Sequence, residues 1–119
     1  MKQINPVGKA GEDAVIKEML LQGYRFLDRN FSVHNMGELD VIMEKDGDIY
    51  VVEVKSRLEN TRYTDPASSI SYRKRLRMLN TTKVYISKYN LYDRNVHFLA
   101  GCVTHRRDGV IQNVELIPF

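Results

Sequence analysis

The amino-acid sequence predicts a single α/β domain over residues 1–119, in which helices cover a mixed β-sheet. The chain is long enough to bury one hydrophobic core but not two. Two segments carry apolar residues at helical spacing, and two pairs of β-type runs each enclose a turn that contains glycine. In chain order the segments are a helix, two or three strands, a helix and two strands, about α-β-β-β-α-β-β. This order is typical of a mixed sheet with flanking helices.

The first helix is predicted from its end signals and its apolar spacing. Asn5-Pro6 is typical of an N-cap followed by proline in the first turn, and Gly23 ends the pattern. The apolar residues between them recur at helical spacing: Ala10, Ala14, Val15, Ile16, Met19, Leu20 and Leu21. The segment from Tyr24 to Val33 then predicts two short strands or one bent strand, because Asp28-Arg29-Asn30 interrupts a β-type run.

The next segment carries the clearest signal, that of a β-hairpin. The runs Leu39–Met43 and Ile49–Val54 flank Asp46-Gly47, which favours a two-residue type I′ turn because both turn positions need positive φ. Side chains alternate along each strand, so one face of the hairpin is apolar throughout and must pack on a core. That face holds Leu39, Val41, Met43, Tyr50, Val52 and Val54.

The other face of the hairpin brings ionisable groups together. Counting back from the turn places Asp40 opposite Glu53. The same register places Glu38 opposite Lys55. Facing Cβ atoms lie about 5 Å apart, and two carboxylates at that distance repel by about 3 kcal/mol at an effective dielectric constant of about 20. A divalent cation would offset this repulsion, and Mg²⁺ prefers oxygen ligands.

A solvated sheet face with cross-strand ion pairs is the alternative explanation of these charges. A merely exposed face would alternate polar residues along its whole length. Here the same face continues with apolar residues towards the turn, and charges at the edge of a buried face indicate a site. Lys55 follows Glu53 by two residues on this face, where its ammonium group could hold an attacking water or stabilise charge developing on a phosphate.

A second helix and a second hairpin complete the chain. Asp65-Pro66 predicts an N-cap and first residue, and the helix is expected to end near Tyr89. The side chains expected to face inward are Leu76, Leu79, Ile86 and, as a further candidate, Tyr72. The runs Val96–Val103 and Val110–Ile117 flank Arg107-Asp108-Gly109, which predicts the last two strands.

Composition excludes several classes of protein. With 43% hydrophobic and 28% charged residues, the chain is too apolar to be disordered. Cys102 is the only cysteine, which excludes an intramolecular disulfide and a thiolate zinc cluster. We expect a cytoplasmic protein with no export signal and no membrane span, because no apolar run is long enough. The net charge of +3 favours an acidic partner but does not by itself establish nucleic-acid binding.

The spacing of the hairpin acids resembles that of a nuclease superfamily. Asp40 followed by Glu53-Val54-Lys55 resembles the PD-(D/E)xK nucleases, with Asp40 in place of the acid of their Pro-Asp pair. A wider set of residues, covering nearly the whole chain, resembles the bacterial UPF0102 (YraN-like) family. These residues are Gly11-Glu12, Gly23-Tyr24, Asn30, Gly37-Glu38-Leu39-Asp40, Val52 to Arg57, Pro66 and Arg73-Lys74.

The resemblance implies a restriction-endonuclease-like fold, related to archaeal Holliday-junction resolvases, and metal-dependent hydrolysis of DNA phosphodiester bonds. Branched or damaged DNA is the candidate substrate, and Mg²⁺ or Mn²⁺ the candidate cofactor, as one or two ions. Asp40, Glu53 and the Val54 carbonyl would bind the metal, and Lys55 would assist the attacking water. The resemblance also makes Glu12 a metal or water ligand. The alternative for Glu12 is an acid near a helix N-terminus, favoured by the helix dipole.

Further residues are candidates for orienting groups and for contacts with DNA. Glu38 is a candidate for orienting Lys55, although a surface ion pair explains it equally well. Basic residues of the second helix and the preceding loop suit phosphate contacts, with a solvated helix face as the alternative. The candidates are Arg57, Arg73, Lys74 and Arg77. Resolvase relatives act as dimers, so a homo-oligomer is also a candidate.

The chain departs from the family pattern on the strand after the second helix. Such proteins usually carry an arginine-phenylalanine-aspartate run there, and this chain has His97-Phe98-Leu99. Two other functions stay open beside the nuclease. One is a non-catalytic nucleic-acid-binding module with the same fold. The other is an interaction protein in which the acids form a stabilising network.

Overall fold

The computed structural model describes residues 6–61 and 69–119. The elements of this part of the chain are α1 (Pro6–Leu21), β1 (Arg25–Val33), β2 (Gly37–Lys45), β3 (Asp48–Leu58), α2 (Tyr72–Lys88), β4 (Val96–His105) and β5 (Ile111–Pro118). Their order confirms the predicted order. Asn5 and Asp65-Pro66, predicted as parts of helix N-termini, lie outside the described residues. Within the described part, no helix is both long and apolar enough to cross a membrane.

The five strands form one mixed sheet in the order β1-β2-β3-β4-β5. Neighbouring strands are antiparallel except β3 and β4, which are parallel because α2 lies between them in the chain. The segment predicted as two strands or one bent strand is one strand, β1, with a register shift between Phe26 and Asp28. The α/β class with a mixed sheet and flanking helices is therefore confirmed.

The two helices cover opposite faces of the sheet, each over its own hydrophobic cluster. The α1 cluster contains Val15, Met19, Val41, Met43, Val52, Leu99 and Val103. The α2 cluster contains Leu39, Ile42, Ile49, Val51, Ile70, Met78, Tyr85, Ala100 and Cys102. The central strands are thus buried on both faces, which explains their nearly continuous apolar runs.

The predicted hairpin register is confirmed near the turn. Asp46 and Gly47 have φ values of 52° and 84°, and Lys45 pairs with Asp48. Pairing continues in the predicted register as far as Val41 and Val52, where the ladder ends. The expected pairs of Asp40 with Glu53 and of Glu38 with Lys55 lie beyond this point and are not formed as ladder pairs.

Strict alternation along β2 is wrong at one position. Leu39 was predicted on the same face as Val41 and Met43, but it belongs to the α2 cluster and they belong to the α1 cluster. Gly37 lies on the α2 side as well, since a Cβ there would meet Thr81 of α2 at 2.8 Å. The alternation therefore breaks at Asp40, where the regular pairing of β2 with β3 has ended. Such irregularities re-aim a side chain at the edge of a ladder.

The inward face of α2 also differs from the prediction. Its N-cap is Ser71, whose hydroxyl accepts a hydrogen bond from the Lys74 N–H at 3.1 Å. The buried residues of the helix are Met78, Thr81, Thr82 and Tyr85. Leu76 and Leu79 are each 41% exposed, Tyr72 is 78% exposed and Ile86 is half-buried against the α2 cluster. The helix packs small threonines close to β2, so its leucines lie at the border of the contact.

Candidate active site

Glu53 is the buried charged side chain at the centre of the site. Only 5% of its surface is exposed, and it lies on the sheet face covered by α2. Burial, with a contribution from the neighbouring Asp40 carboxylate, raises the pKa of Glu53 to about 7. Its Oε1 lies 3.6 Å from Lys74 Nζ and 3.9 Å from Lys55 Nζ. Its Oε2 is buried and has no hydrogen-bond partner among the described residues.

Asp40 lies beside Glu53, beyond the last β2–β3 pair. Its Oδ2 accepts a hydrogen bond of 2.9 Å from the Val54 N–H, so the carboxylate takes a donor that the strand pairing leaves unused. Burial raises the pKa of Asp40, although the bond from Val54 and the nearby lysines partly oppose this shift. The predicted proximity of Asp40 and Glu53 is therefore found. It arises from the hydrogen bond of the Asp40 side chain to β3 and not from a regular ladder pair.

Two lysines come to the acid pair from different elements. Lys55 reaches Glu53 along β3 from two residues away, as alternation predicts. Lys74 reaches it from the first turn of α2. The sequence predicts Lys74 as a DNA contact, and the structure shows that its ammonium group also belongs to the acid cluster. The crossover between β3 and β4 is what brings α2 over Glu53.

Glu12 lies on α1, where its carboxylate is held by two side chains of β1. Arg29 Nη2 donates to Glu12 Oε1 at 2.8 Å, and Asn30 Nδ2 donates to the same oxygen at 3.3 Å. Arg29 also binds Asp13 at 2.7 Å, and this bond lowers the pKa of Asp13. Glu12 is close enough to raise the pKa of Asp40 through its charge. Its role as a ligand stays a prediction.

Sequence reasoning missed the role of Arg29 altogether. The residue is 17 positions from Glu12, and the contact forms only because α1 packs against the face of β1 and β2. No local pattern marks such a pair. Asn30, in contrast, is among the residues of the family resemblance, and the structure shows that it adopts a positive φ of 56°.

The remaining predicted residues surround the site at different distances. Glu38 pairs with Ser32 of β1 and accepts a hydrogen bond from its hydroxyl at 3.3 Å. Arg77 donates from Nε to the Met36 carbonyl at 3.3 Å. Arg73 is exposed on α2. Arg57 donates to Thr104 Oγ1 at 3.2 Å on the neighbouring strand.

The acid pair fits a divalent cation in its chemistry. Two carboxylates lie together in a buried position, and one oxygen, Glu53 Oε2, has no donor. Across residues 6–61 and 69–119, however, no group of three or more histidine, cysteine, aspartate or glutamate side chains is arranged to hold a metal. Among the described residues, Asp40 and Glu53 are thus a pair of carboxylates, and Glu12 is bound to Arg29 beside them.

Comparisons with known proteins identify the family. The model of the uncharacterised protein family UPF0102 matches residues 11–111. The chain belongs to the UPF0102 family. A UPF0102 protein of Persephonella marina is 37% identical over 91 residues, covering 76% of this chain and 77% of its own. Relatives in the family from Clostridium acetobutylicum and Myxococcus xanthus are 38% and 36% identical, over 85% and 93% of this chain and 83% and 85% of theirs.

A solved structure also resembles this UPF0102 protein. It is an FdxN element excision controlling factor protein from Anabaena variabilis, which is 16% identical. The alignment covers 89% of this chain and 98% of that chain, with a TM-score of 0.44.

The departure of this chain from the UPF0102 pattern falls on β4. Leu99 stands where the resemblance implies an acid, and it is buried in the α1 cluster with 7% of its surface exposed. His97 stacks on Tyr50 with ring centroids 4.6 Å apart, and its Nε2 lies 2.8 Å from Asp48 Oδ2. This part of β4 therefore supplies packing and a surface contact, and Leu99 lies on the α1 side of the sheet, beside Val52 rather than on the face of Glu53.

Proposed function

We propose that this UPF0102 protein is a divalent-metal-dependent endonuclease that hydrolyses DNA phosphodiester bonds at Asp40, Glu53 and Lys55. The main support is the state of Glu53. A buried carboxylate with one unpartnered oxygen, beside a second carboxylate, is costly for a fold to maintain. A bound cation removes that cost, and buried acids of this kind cluster at functional sites.

Asp40, Glu53 and the Val54 carbonyl are the groups that would hold one or two Mg²⁺ or Mn²⁺ ions, which supply Lewis-acid stabilisation of phosphate charge when bound. Glu12 is a further candidate ligand, because Arg29 and Asn30 both donate to its Oε1 and a carboxylate has a second oxygen. Lys55 donates hydrogen bonds to the attacking water or to the phosphate oxygen on which charge develops.

The basic residues of α2 hold the DNA backbone. Lys74 contacts the acid pair, and Arg73 and Arg77 lie on either side of it in the sequence of the same helix. Contacts to phosphates carry no base information, so binding through them tolerates any sequence and weakens as salt rises.

A cleavage assay tests the proposal. The protein is incubated with single-stranded, duplex and four-way-junction DNA in Mg²⁺, in Mn²⁺ and in EDTA. Wild type should cut in either metal and not in EDTA. Asp40→Asn and Lys55→Ala should each lower the rate by at least about 100-fold. Glu115→Gln removes a carboxylate from the exposed side of β5 and should cut as wild type does. Equal rates for all four proteins would refute the site assignment.

The second candidate is a nucleic-acid-binding module that cleaves nothing. The composition of the acid cluster favours it, because within residues 6–61 and 69–119 no group of three or more histidine, cysteine, aspartate or glutamate side chains is arranged to hold a metal. In that case the wild type binds DNA with the expected salt dependence, and no substrate is cut in either metal.

A further inference from the structure

A polar cavity of about 500 Å³ adjoins the acid pair on the α2 side of the sheet. It lies between the β1–β2 turn and the first half of α2. Lys74 belongs both to the lining of this cavity and to the acid cluster. Lys74 lines the cavity, and its Nζ lies 3.6 Å from Glu53 Oε1. A group bound in the cavity therefore lies next to the proposed cleavage site.

The walls of the cavity are fixed by specific contacts. Met36 N–H donates to the Val33 carbonyl at 3.0 Å across the turn, and Asn35 has a φ of 58°. Arg77 Nε donates to the Met36 carbonyl at 3.3 Å, which ties the turn to α2. The cavity is thus largely preformed, and its volume falls within the range of about 300–1,000 Å³ usual for small-ligand sites.

The lining combines three kinds of chemistry. Lys74 and Arg77 are cationic, and Arg77 carries four N–H donors besides Nε. Glu38 is an oxygen acceptor that is steadied by the Ser32 hydroxyl at 3.3 Å. Met78 contributes apolar surface from α2. Cations for a phosphate, an acceptor for amino groups and an apolar wall together match one nucleotide.

We propose that this cavity binds a single unpaired nucleotide of the DNA, next to the phosphate that the acid pair would cleave. The inference rests on the proposed function and specifies its substrate: DNA with an unpaired nucleotide at the cleavage position. A base inside a continuous duplex must first be unpaired and unstacked to enter a cavity, which is unfavourable, whereas this penalty is smaller for a base that is already unpaired.

The position of Glu38 adds a preference among bases. A carboxylate accepts hydrogen bonds from the amino group of cytosine, whereas the exocyclic oxygens of thymine are acceptors to which a carboxylate cannot donate. The cavity should therefore take an unpaired cytosine more tightly than an unpaired thymine. An amide at position 38 both donates and accepts, so Glu38→Gln should remove this discrimination.

The test measures binding in EDTA, so that it is independent of cleavage. Fluorescence anisotropy compares a continuous duplex with the same duplex carrying one unpaired cytosine or one unpaired thymine. We expect the unpaired cytosine to raise affinity about tenfold, which corresponds to about 1.4 kcal/mol. Unpaired thymine should give a smaller gain, and Glu38→Gln should make the two equal.

Two matched pairs of variants assign the effect to the cavity. Ser32→Trp fills it from an exposed strand position and should abolish the gain, whereas Gln112→Trp, exposed on β5, should keep it. Arg77→Gln and Arg73→Gln each remove one positive charge from α2. Of these two residues, only Arg77 lines the cavity. Arg77→Gln should therefore lower the gain in affinity from the unpaired nucleotide. Arg73→Gln should instead lower the affinity for continuous and unpaired DNA alike.

The possible failures are distinguishable. Equal affinity for continuous and unpaired DNA would overturn the cavity assignment and leave the proposed nuclease intact. Equal effects of Ser32→Trp and Gln112→Trp would overturn it as well. Absence of DNA binding by every protein would overturn the proposed function, and this inference with it.

Discussion

Replacing Glu53 with glutamine removes a carboxylate that the fold holds in a buried place, and this should change how stability depends on pH. The pKa of Glu53 is about 7 in the folded protein, against 4.5 for the unperturbed group. The difference corresponds to about 3 kcal/mol between the protonated and ionised forms.

The direction follows from proton binding. Because the folded state binds the proton more tightly, it carries more protons than the unfolded state between about pH 4.5 and pH 7. The free energy of unfolding therefore falls as pH rises through that window. Asp40 shifts in the same direction and adds to the slope. Glu53→Gln should unfold with a much flatter pH dependence and should be more stable than wild type at pH 8.

Urea denaturation at several pH values in EDTA measures this effect. Glu115→Gln removes an exposed carboxylate and should follow the wild-type curve. Mg²⁺ at about 100 times its dissociation constant should restore about 2.7 kcal/mol to wild type at pH 8, and nothing to Glu53→Gln. A wild-type free energy of unfolding that stays constant from about pH 5 to pH 8 would refute the reasoning, as would an equal decline in Glu53→Gln.

Three further predictions concern packing and the ladder end, each measured by urea denaturation. Gly101→Ala should destabilise the fold by about 1–3 kcal/mol, because the new Cβ would lie 2.9 Å from Val15 Cγ2; Val15→Ala should recover part of the loss, and no recovery would contradict the clash. Met78→Ala should lower the free energy of unfolding by about 2–5 kcal/mol and Leu79→Ala by less than about 1 kcal/mol, since only Met78 is buried. A larger loss for Leu79→Ala than for Met78→Ala would contradict this orientation of α2. Asp40→Ala should destabilise by about 1–3 kcal/mol because a backbone N–H loses its acceptor, whereas Asp40→Asn keeps an oxygen there; equal losses would contradict this.

The hairpin and its acid pair could be predicted from sequence because the signal is local. Asp46-Gly47 favours one turn type, and that turn fixes the register of the flanking strands as far as Val41 and Val52. The end of the ladder could not be predicted in the same way. The Asp40 carboxylate accepts the hydrogen bond of the Val54 N–H in place of a backbone carbonyl. The alternation of side chains along a strand does not predict such a replacement.

Contacts between elements that are distant in the chain could not be predicted from the sequence pattern. The inward face of α2 is set by how close the helix approaches β2, and the absence of a Cβ at Gly37 lets Thr81 come near it. Apolar spacing therefore predicted Leu79 as an inward-facing residue, whereas Met78 is the residue that is buried. The same limit applies to Glu12, whose partner Arg29 is brought to it by the tertiary fold.

The central claim is that Asp40 and Glu53 bind a divalent cation, and calorimetric titration with Mn²⁺ tests it most directly. The cation must displace the proton of Glu53, so wild type should bind with more proton release at pH 6 than at pH 8. Glu53→Gln and Asp40→Asn should lose this binding, and Glu115→Gln should keep it. Absence of Mn²⁺ binding to wild type, or binding of equal strength in Glu53→Gln, would contradict the account.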